Sequence, residues 1–144
     1  MPSVPAAPPH APLARHLVLA DDAATATLAQ ALAALARAGD ALLLSGPLGA
    51  GKTSLARAFL RHLTGDPLLE VPSPSFTLVQ EYATQAGPVH HFDLWRLSGP
   101  EGMAELGWDQ ALDGIVLVEW PERLGPLTPG TALRVTLDYD KAGG

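Results

Sequence analysis

An α/β fold of three layers, with a mostly parallel central sheet between helices, is what this sequence predicts, on three observations. Two uninterrupted apolar runs, Ala41-Leu42-Leu43-Leu44 and Ile115-Val116-Leu117-Val118, have the pattern of strands covered on both faces, as in the middle of a parallel sheet. Segments with apolar residues at helical spacing alternate with strand-like ones along the chain. Directly after the first run comes Gly46-Pro47-Leu48-Gly49-Ala50-Gly51-Lys52-Thr53, a G-x-x-x-x-G-K-[ST] sequence that opens a helix. Its glycines let the backbone curl so that successive N–H groups face an anion, and the helix N-terminus adds its partial positive charge. Strand, loop and helix together specify the three-layer fold of the P-loop NTPase type.

The elements follow in order. Residues 1–13 carry Pro2, Pro5, Pro8, Pro9 and Pro12 among alanines, a composition that neither forms a helix nor buries much surface, and are expected to be a disordered leader. Residues 14–140 are expected to form one P-loop ATPase domain, and residues 141–144 a frayed tail. Leu17 and Leu19 mark residues 15–20 as a short strand. Asp21-Asp22 then supply the N-cap of a helix reaching about residue 38, with Leu28, Leu32 and Leu35 on one face and Gly39 as its stop. The helix that opens at Lys52 turns Leu55, Phe59, Leu60 and Leu63 to the core and ends at Gly65. Two prolines make Val71-Pro72-Ser73-Pro74 an extended loop. Residues 76–82 and 89–95 read as strands joined by a turn at Gly87-Pro88, and residues 101–106 as a short helix. Residues 115–119 form the second buried strand, and Leu133, Val135, Leu137 and Tyr139 alternate as a half-exposed last one.

A chain of 144 residues at 47% hydrophobic supports one well-formed core. Its net charge is -6, and its nine Lys and Arg residues are scattered. A free-standing nucleic-acid binder needs clustered charge to neutralise several phosphates at once, so if RNA enters this protein's biology another chain holds it. The absence of cysteine removes disulfides, thiolate catalysis and thiolate metal sites, and suits a reducing cytosol. The first basic residue is Arg15, so the charged start of a secretory signal is missing, and no apolar run approaches the length that spans a bilayer. A cytoplasmic location without membrane association is expected.

At a loop of this kind, which takes ATP or ADP, Lys52 reaches the β-phosphate and, in ATP, the γ-phosphate, and the Thr53 hydroxyl sits on Mg²⁺, while Gly46, Leu48, Gly49, Ala50, Gly51 and Ser54 complete the cradle. Hydrolysis also needs a carboxylate to hold Mg²⁺ at the tip of a buried strand beside the loop's own. Glu119 follows four apolar residues and is the preferred metal ligand. Asp93 follows the more polar Val89-His90-His91-Phe92 and is left to orient the attacking water or to hold the metal through water. For either, a plain carboxylate at a strand end is the bland alternative. Lys52, Asp93 and Glu119 make up the expected catalytic set.

Ser73, Ser75 and Thr77 stand on the proline-stiffened loop as candidates for a switch that reads the γ-phosphate or metal, the alternative being hydroxyls that satisfy exposed backbone. His90 and His91 are adjacent, so in a strand they point to opposite faces, which argues against a shared metal. Trp95, Trp108 and Trp120 are expected mainly in core or rim packing, with a partner anchor as the alternative.

Taken together, Gly46 to Thr53, then Val71-Pro72-Ser73-Pro74-Ser75-Phe76-Thr77-Leu78-Val79, His91-Phe92-Asp93-Leu94-Trp95-Arg96-Leu97, Glu105-Leu106-Gly107 and Val118-Glu119-Trp120-Pro121-Glu122 resemble the TsaE family. That family comprises the bacterial ATPases of tRNA threonylcarbamoyladenosine biosynthesis. The resemblance implies a small ATPase, weakly active alone, that works with TsaB and TsaD and meets tRNA only through their complex. It also implies that Lys52 and Thr53 serve phosphate and Mg²⁺, that Glu119 is a Mg²⁺ ligand, and that Asp93 and Trp120 belong to the functional strand ends. Thr25 would lie near the adenine, with Arg134 on the same side. Ser75 stands where Thr is usual and Trp95 where Tyr is usual, which keeps the hydroxyl and the ring.

Two rival functions share the cradle. A small-molecule P-loop kinase would need a second pocket and a lid bearing several arginines, and no Arg-rich lid stands out. A nucleotide-dependent docking module would use ATP to order the loop around Ser73 with turnover incidental. A GTPase is argued against by the absence of N-K-x-D and by the position of the D-x-x-G sequence, Asp140-Lys141-Ala142-Gly143, in the tail.

Overall fold

The computed structural model describes residues 15–47 and 49–138. The expected leader and tail, together with Leu48 and Tyr139, lie outside the described residues. Five strands, β1 (Ala41–Ser45), β2 (Val79–Thr84), β3 (Gly87–Asp93), β4 (Ile115–Glu119) and β5 (Leu133–Thr136), form one sheet in the order β2-β3-β4-β1-β5. β1, β3, β4 and β5 run parallel, and β2 is the antiparallel edge. This is the mostly parallel α/β architecture the two apolar runs predict: β1 is buried over its four apolar residues and β4 throughout.

Each sheet face carries its own core. On one side lie α1 (Asp22–Leu35) and α2 (Lys52–Thr64), with Leu42, Leu44, Leu55, Phe59, Leu60, Val89, Ile115 and Leu117 in one buried cluster. On the other, Ala41, Leu43, Phe92, Val116 and Val118 pack against Leu94, Met103, Trp108 and Leu124. The second layer is built from 3-10 turns at Pro100–Gly102, Ala104–Leu106 and Pro121–Leu127 and from the single turn α3 (Trp108–Ala111). Trp108 is a core residue, edge-on to Phe92 at 5.1 Å.

α1 opens at Asp21, whose carboxylate accepts from the Ala24 N–H at 2.9 Å. Asp21→Ala is expected to cost about 1 kcal/mol, read as a melting temperature lower by about 2–5 °C.

Several boundaries differ from expectation, each for a physical reason. Residues 15–20 form no strand: none of the five strands pairs with them, and only Leu19 packs on the core while Leu17 and Val18 are exposed. The buried face of α1 centres on Ala29 and Ala33, whose small side chains let the helix lie close, and α1 ends at Leu35 with Leu35 itself exposed. β2 starts at Val79 rather than at residue 76, because Leu78 has a left-handed backbone (φ 68) and its N–H turns back to the Pro74 carbonyl at 2.6 Å. The hairpin reverses at Gln85 and Ala86, with Gly87 paired to Thr84 and Pro88 to Ala83 inside the ladder. Residues 101–106 form two 3-10 turns instead of one helix, and β5 stops at Thr136, although Leu137 still donates its N–H to Ser45 at 2.8 Å.

Candidate functional site

Parallel pairing brings the carboxyl ends of β1, β3 and β4 to one edge, where ligands collect on open α/β sheets. The register sets Leu44 beside Glu119, and Glu119 beside Asp93. The loop leaving β1, the last residue of β3 and the last residue of β4 therefore meet around one cavity of about 510 Å³. Its walls include Gly49, Gly51, Lys52, Thr53, Ser54, Ser73, Ser75, Asp93, Glu119 and Trp120 from the expected set.

The loop can curl because its three glycines, Gly46, Gly49 and Gly51, hold conformations that side chains resist. Gly46 (φ 139) passes so close to β5's continuation that a Cβ would meet the Leu137 carbonyl oxygen at 2.1 Å. Gly51 (φ 105) is the left-handed N-cap of α2, and the first turn of α2 holds no acidic residue. Its N–H groups and dipole are thus available to an external anion. Lys52 is 6% exposed. Its ammonium donates to the carbonyls of Gly46 and of Pro47 (3.2 Å) and lies 4.2 Å from the ring centre of Trp120.

Two carboxylates face the same cavity. Glu119, 3% exposed, accepts from the Thr53 hydroxyl at 3.1 Å and lies 2.6 Å from His91 Nε2. Asp93, 4% exposed, accepts from the hydroxyls of Ser73 (2.9 Å) and Ser75 (3.2 Å) and from the Trp95 N–H (3.1 Å). Among the described residues neither has a Lys or Arg ion-pair partner. Buried carboxylates without a basic partner are costly on their own. An all-oxygen pair of hydroxyl and carboxylate fits Mg²⁺, which takes one or two protein oxygens and fills the rest of its shell with phosphate and water. No group of three or more His, Asp or Glu that could hold a metal ion by itself occurs among the described residues.

Other expected residues fall elsewhere. Thr25 lies in the first turn of α1, where its hydroxyl meets the Asp21 carbonyl at 3.4 Å, and Arg134 is exposed on β5; neither lines this cavity. Thr77 is exposed and apart from it, and Ala50 packs toward the α1–α2 core.

The cavity also holds residues that motif reasoning passed over. Phe76 and Arg96 line it, with the Arg96 guanidinium 5.1 Å from the Phe76 ring centre. Trp95 packs on Trp120 at 4.5 Å, and Trp120 holds a left-handed backbone (φ 60), a conformation uncommon for a bulky residue and concentrated at functional sites. His90 and His91 do point to opposite faces: His90 stacks near Phe92 at 6.2 Å, while His91 faces Glu119. The signal for His91 was its place two residues before Asp93, which in a strand means the same face.

The family model for threonylcarbamoyl adenosine biosynthesis protein TsaE matches residues 19–143. The tRNA threonylcarbamoyladenosine biosynthesis protein TsaE of Rickettsia felis is 38% identical over 123 residues, covering 85% of this chain and 71% of that protein. The protein of the same description from Nostoc sp. is 38% identical over 133 residues, covering 88% and 80%. Among solved structures, that of Bacillus subtilus YdiB superposes with a TM-score of 0.65 at 30% identity, covering 83% of this chain and 73% of that one. With a family model spanning nearly all described residues and relatives aligned over most of its length, the chain belongs to the TsaE family.

Proposed function

We propose that this chain is a Mg²⁺-dependent, ATP-binding P-loop ATPase that serves threonylcarbamoyladenosine modification of tRNA together with TsaB and TsaD. The observation that carries the reading is the convergence on one cavity of the Lys52 ammonium, the Thr53–Glu119 pair and the Ser73–Asp93–Ser75 cluster. Loop amides and Lys52 bind the β- and γ-phosphates, Thr53 and Glu119 hold Mg²⁺, and Asp93 orients the attacking water. When bound, Mg²⁺ neutralises charge on the phosphates. The contacts of the Ser73 and Ser75 hydroxyls with Asp93 support a role for the loop before β2 in responding to the nucleotide's terminal phosphate. Thr25 and Arg134 are proposed on the adenine side. The scattered basic residues favour contact with tRNA only through the partners. No described helix is long and apolar enough to cross a membrane, and a cytoplasmic setting, where tRNA is modified, is proposed.

Steady-state ATP hydrolysis, measured for the chain alone and with a TsaB and TsaD complex, tests the reading. Slow turnover alone and stimulation of about tenfold or more by the partners is the expected result. Equal rates would point to a docking module with incidental turnover, and phosphate appearing on a metabolite would point to a kinase.

A further inference from the structure

We propose that His91 is a positioning residue that fixes the Glu119 carboxylate in the orientation from which it meets a nucleotide-bound divalent cation; this rests on the reading that Glu119 faces that cation. His91 is fully buried on β3, and its Nε2 lies 2.6 Å from Glu119 Oε2. In the register of β3 and β4 its neighbour is Leu117, two residues before Glu119, so the imidazole reaches along the sheet face to the strand tip. A carboxylate only accepts, so Nε2 is the donor. His91 Nδ1 has no hydrogen-bond partner among the described residues. The polar chemistry of this side chain is therefore directed at Glu119 alone.

The two carboxylate oxygens are divided between partners. Oε1 is nearer the Thr53 hydroxyl, at 3.1 Å against 3.4 Å for Oε2, and Oε2 takes the His91 contact. Without His91 the carboxylate would be held from the α2 side only, by a hydroxyl that is itself assigned to the metal. Groups that orient a metal-binding carboxylate contribute to metal affinity without touching the metal. A histidine that merely filled the core would be replaceable by an apolar residue of similar volume with no effect on metal affinity.

The test is calorimetry of ADP binding to the full chain, in EDTA and in Mg²⁺, the ratio giving the metal's contribution. Mn²⁺ paramagnetic resonance of the ADP complex provides a second readout. His91→Leu is expected to bind ADP in EDTA within about twofold of the parent but to lose about tenfold or more of the metal-dependent gain. His91→Gln, whose amide reaches the same oxygen, is expected to recover the gain to within about threefold, and the shorter His91→Asn is not. A folded His91→Leu with the parent's gain, beside a Glu119→Gln that loses it, overturns this inference alone. If Glu119→Gln also keeps the gain, the assignment of Glu119 falls and this inference with it. Where His91→Leu does not fold, equal gains in His91→Gln and His91→Asn overturn it.

Discussion

Glu119→Gln is expected to lower Mg²⁺-dependent ATP hydrolysis by about 100-fold or more, with little change in melting temperature. The amide keeps the shape of the side chain, and its oxygen can still accept from His91 while its NH₂ donates to the Thr53 hydroxyl. What it lacks is negative charge at a position 3% exposed and free of any Lys or Arg partner among the described residues. The neutral variant spares the folded protein the burial of a charge, so stability is unchanged or slightly raised, and only chemistry that needs a cation suffers. Assay with the partners present separates the loss from a slow basal rate. Hydrolysis at the parent rate would remove Glu119 from the metal site.

Gly46→Ala is expected to destabilise the fold by about 3 kcal/mol or more, and to lower the melting temperature by about 10 °C. The new Cβ would stand 2.1 Å from the Leu137 carbonyl oxygen and 3.1 Å from its carbon, both backbone atoms, on a residue at φ 139. No rotamer relieves a clash between Cβ and backbone. Either the loop or the strand continuation after β5 must shift, and the Leu137 N–H bond to Ser45 shifts with it. Gly39→Ala supplies the comparison: it has φ 95 but nothing within 4 Å of its Cβ, so only backbone strain of about 1 kcal/mol applies. Equal melting shifts for the two variants would mean that the loop yields at Gly46.

The contrast between those two glycines also shows what could be read from the sequence. Gly46 and Gly51 were legible as loop residues because a phosphate cradle needs them within one motif. That Gly46 also abuts Leu137 depends on β5 pairing with β1, a contact some ninety residues distant that no local pattern encodes. β1 and β4 were legible because burial on both faces leaves an unbroken apolar run, and α2 because Leu55, Phe59, Leu60 and Leu63 repeat at helical spacing. Residues 15–20 misled because alternation predicts a strand only where a partner exists to pair with it. Of the α1 stripe, Leu28 and Leu32 do pack against the core, flanking the buried contact that Ala29 and Ala33 make, while Leu35 lies past that contact at the helix end and is exposed.

At the site, Lys52, Thr53, Asp93 and Glu119 could be proposed from motif and strand-end position, and they do line one cavity. The Ser73 and Ser75 hydroxyls were suggested by their loop, but their meeting at Asp93 Oδ2 depends on how that loop folds back over β3. The Arg96–Phe76 contact and the Trp95–Trp120 pair depend on loop conformations after β3 and β4, including the left-handed Trp120. Such geometry is set by tertiary packing rather than by propensity.

The most direct measurement is calorimetric titration of ATP into the folded chain, with and without Mg²⁺, for the parent and for Lys52→Ala. Magnesium-assisted uptake by the parent is predicted, weakened by about tenfold or more when the charge-assisted contacts of Lys52 are lost. No magnesium-assisted uptake by folded parent protein, or uptake undiminished in folded Lys52→Ala, would contradict a triphosphate cradle at residues 46–53.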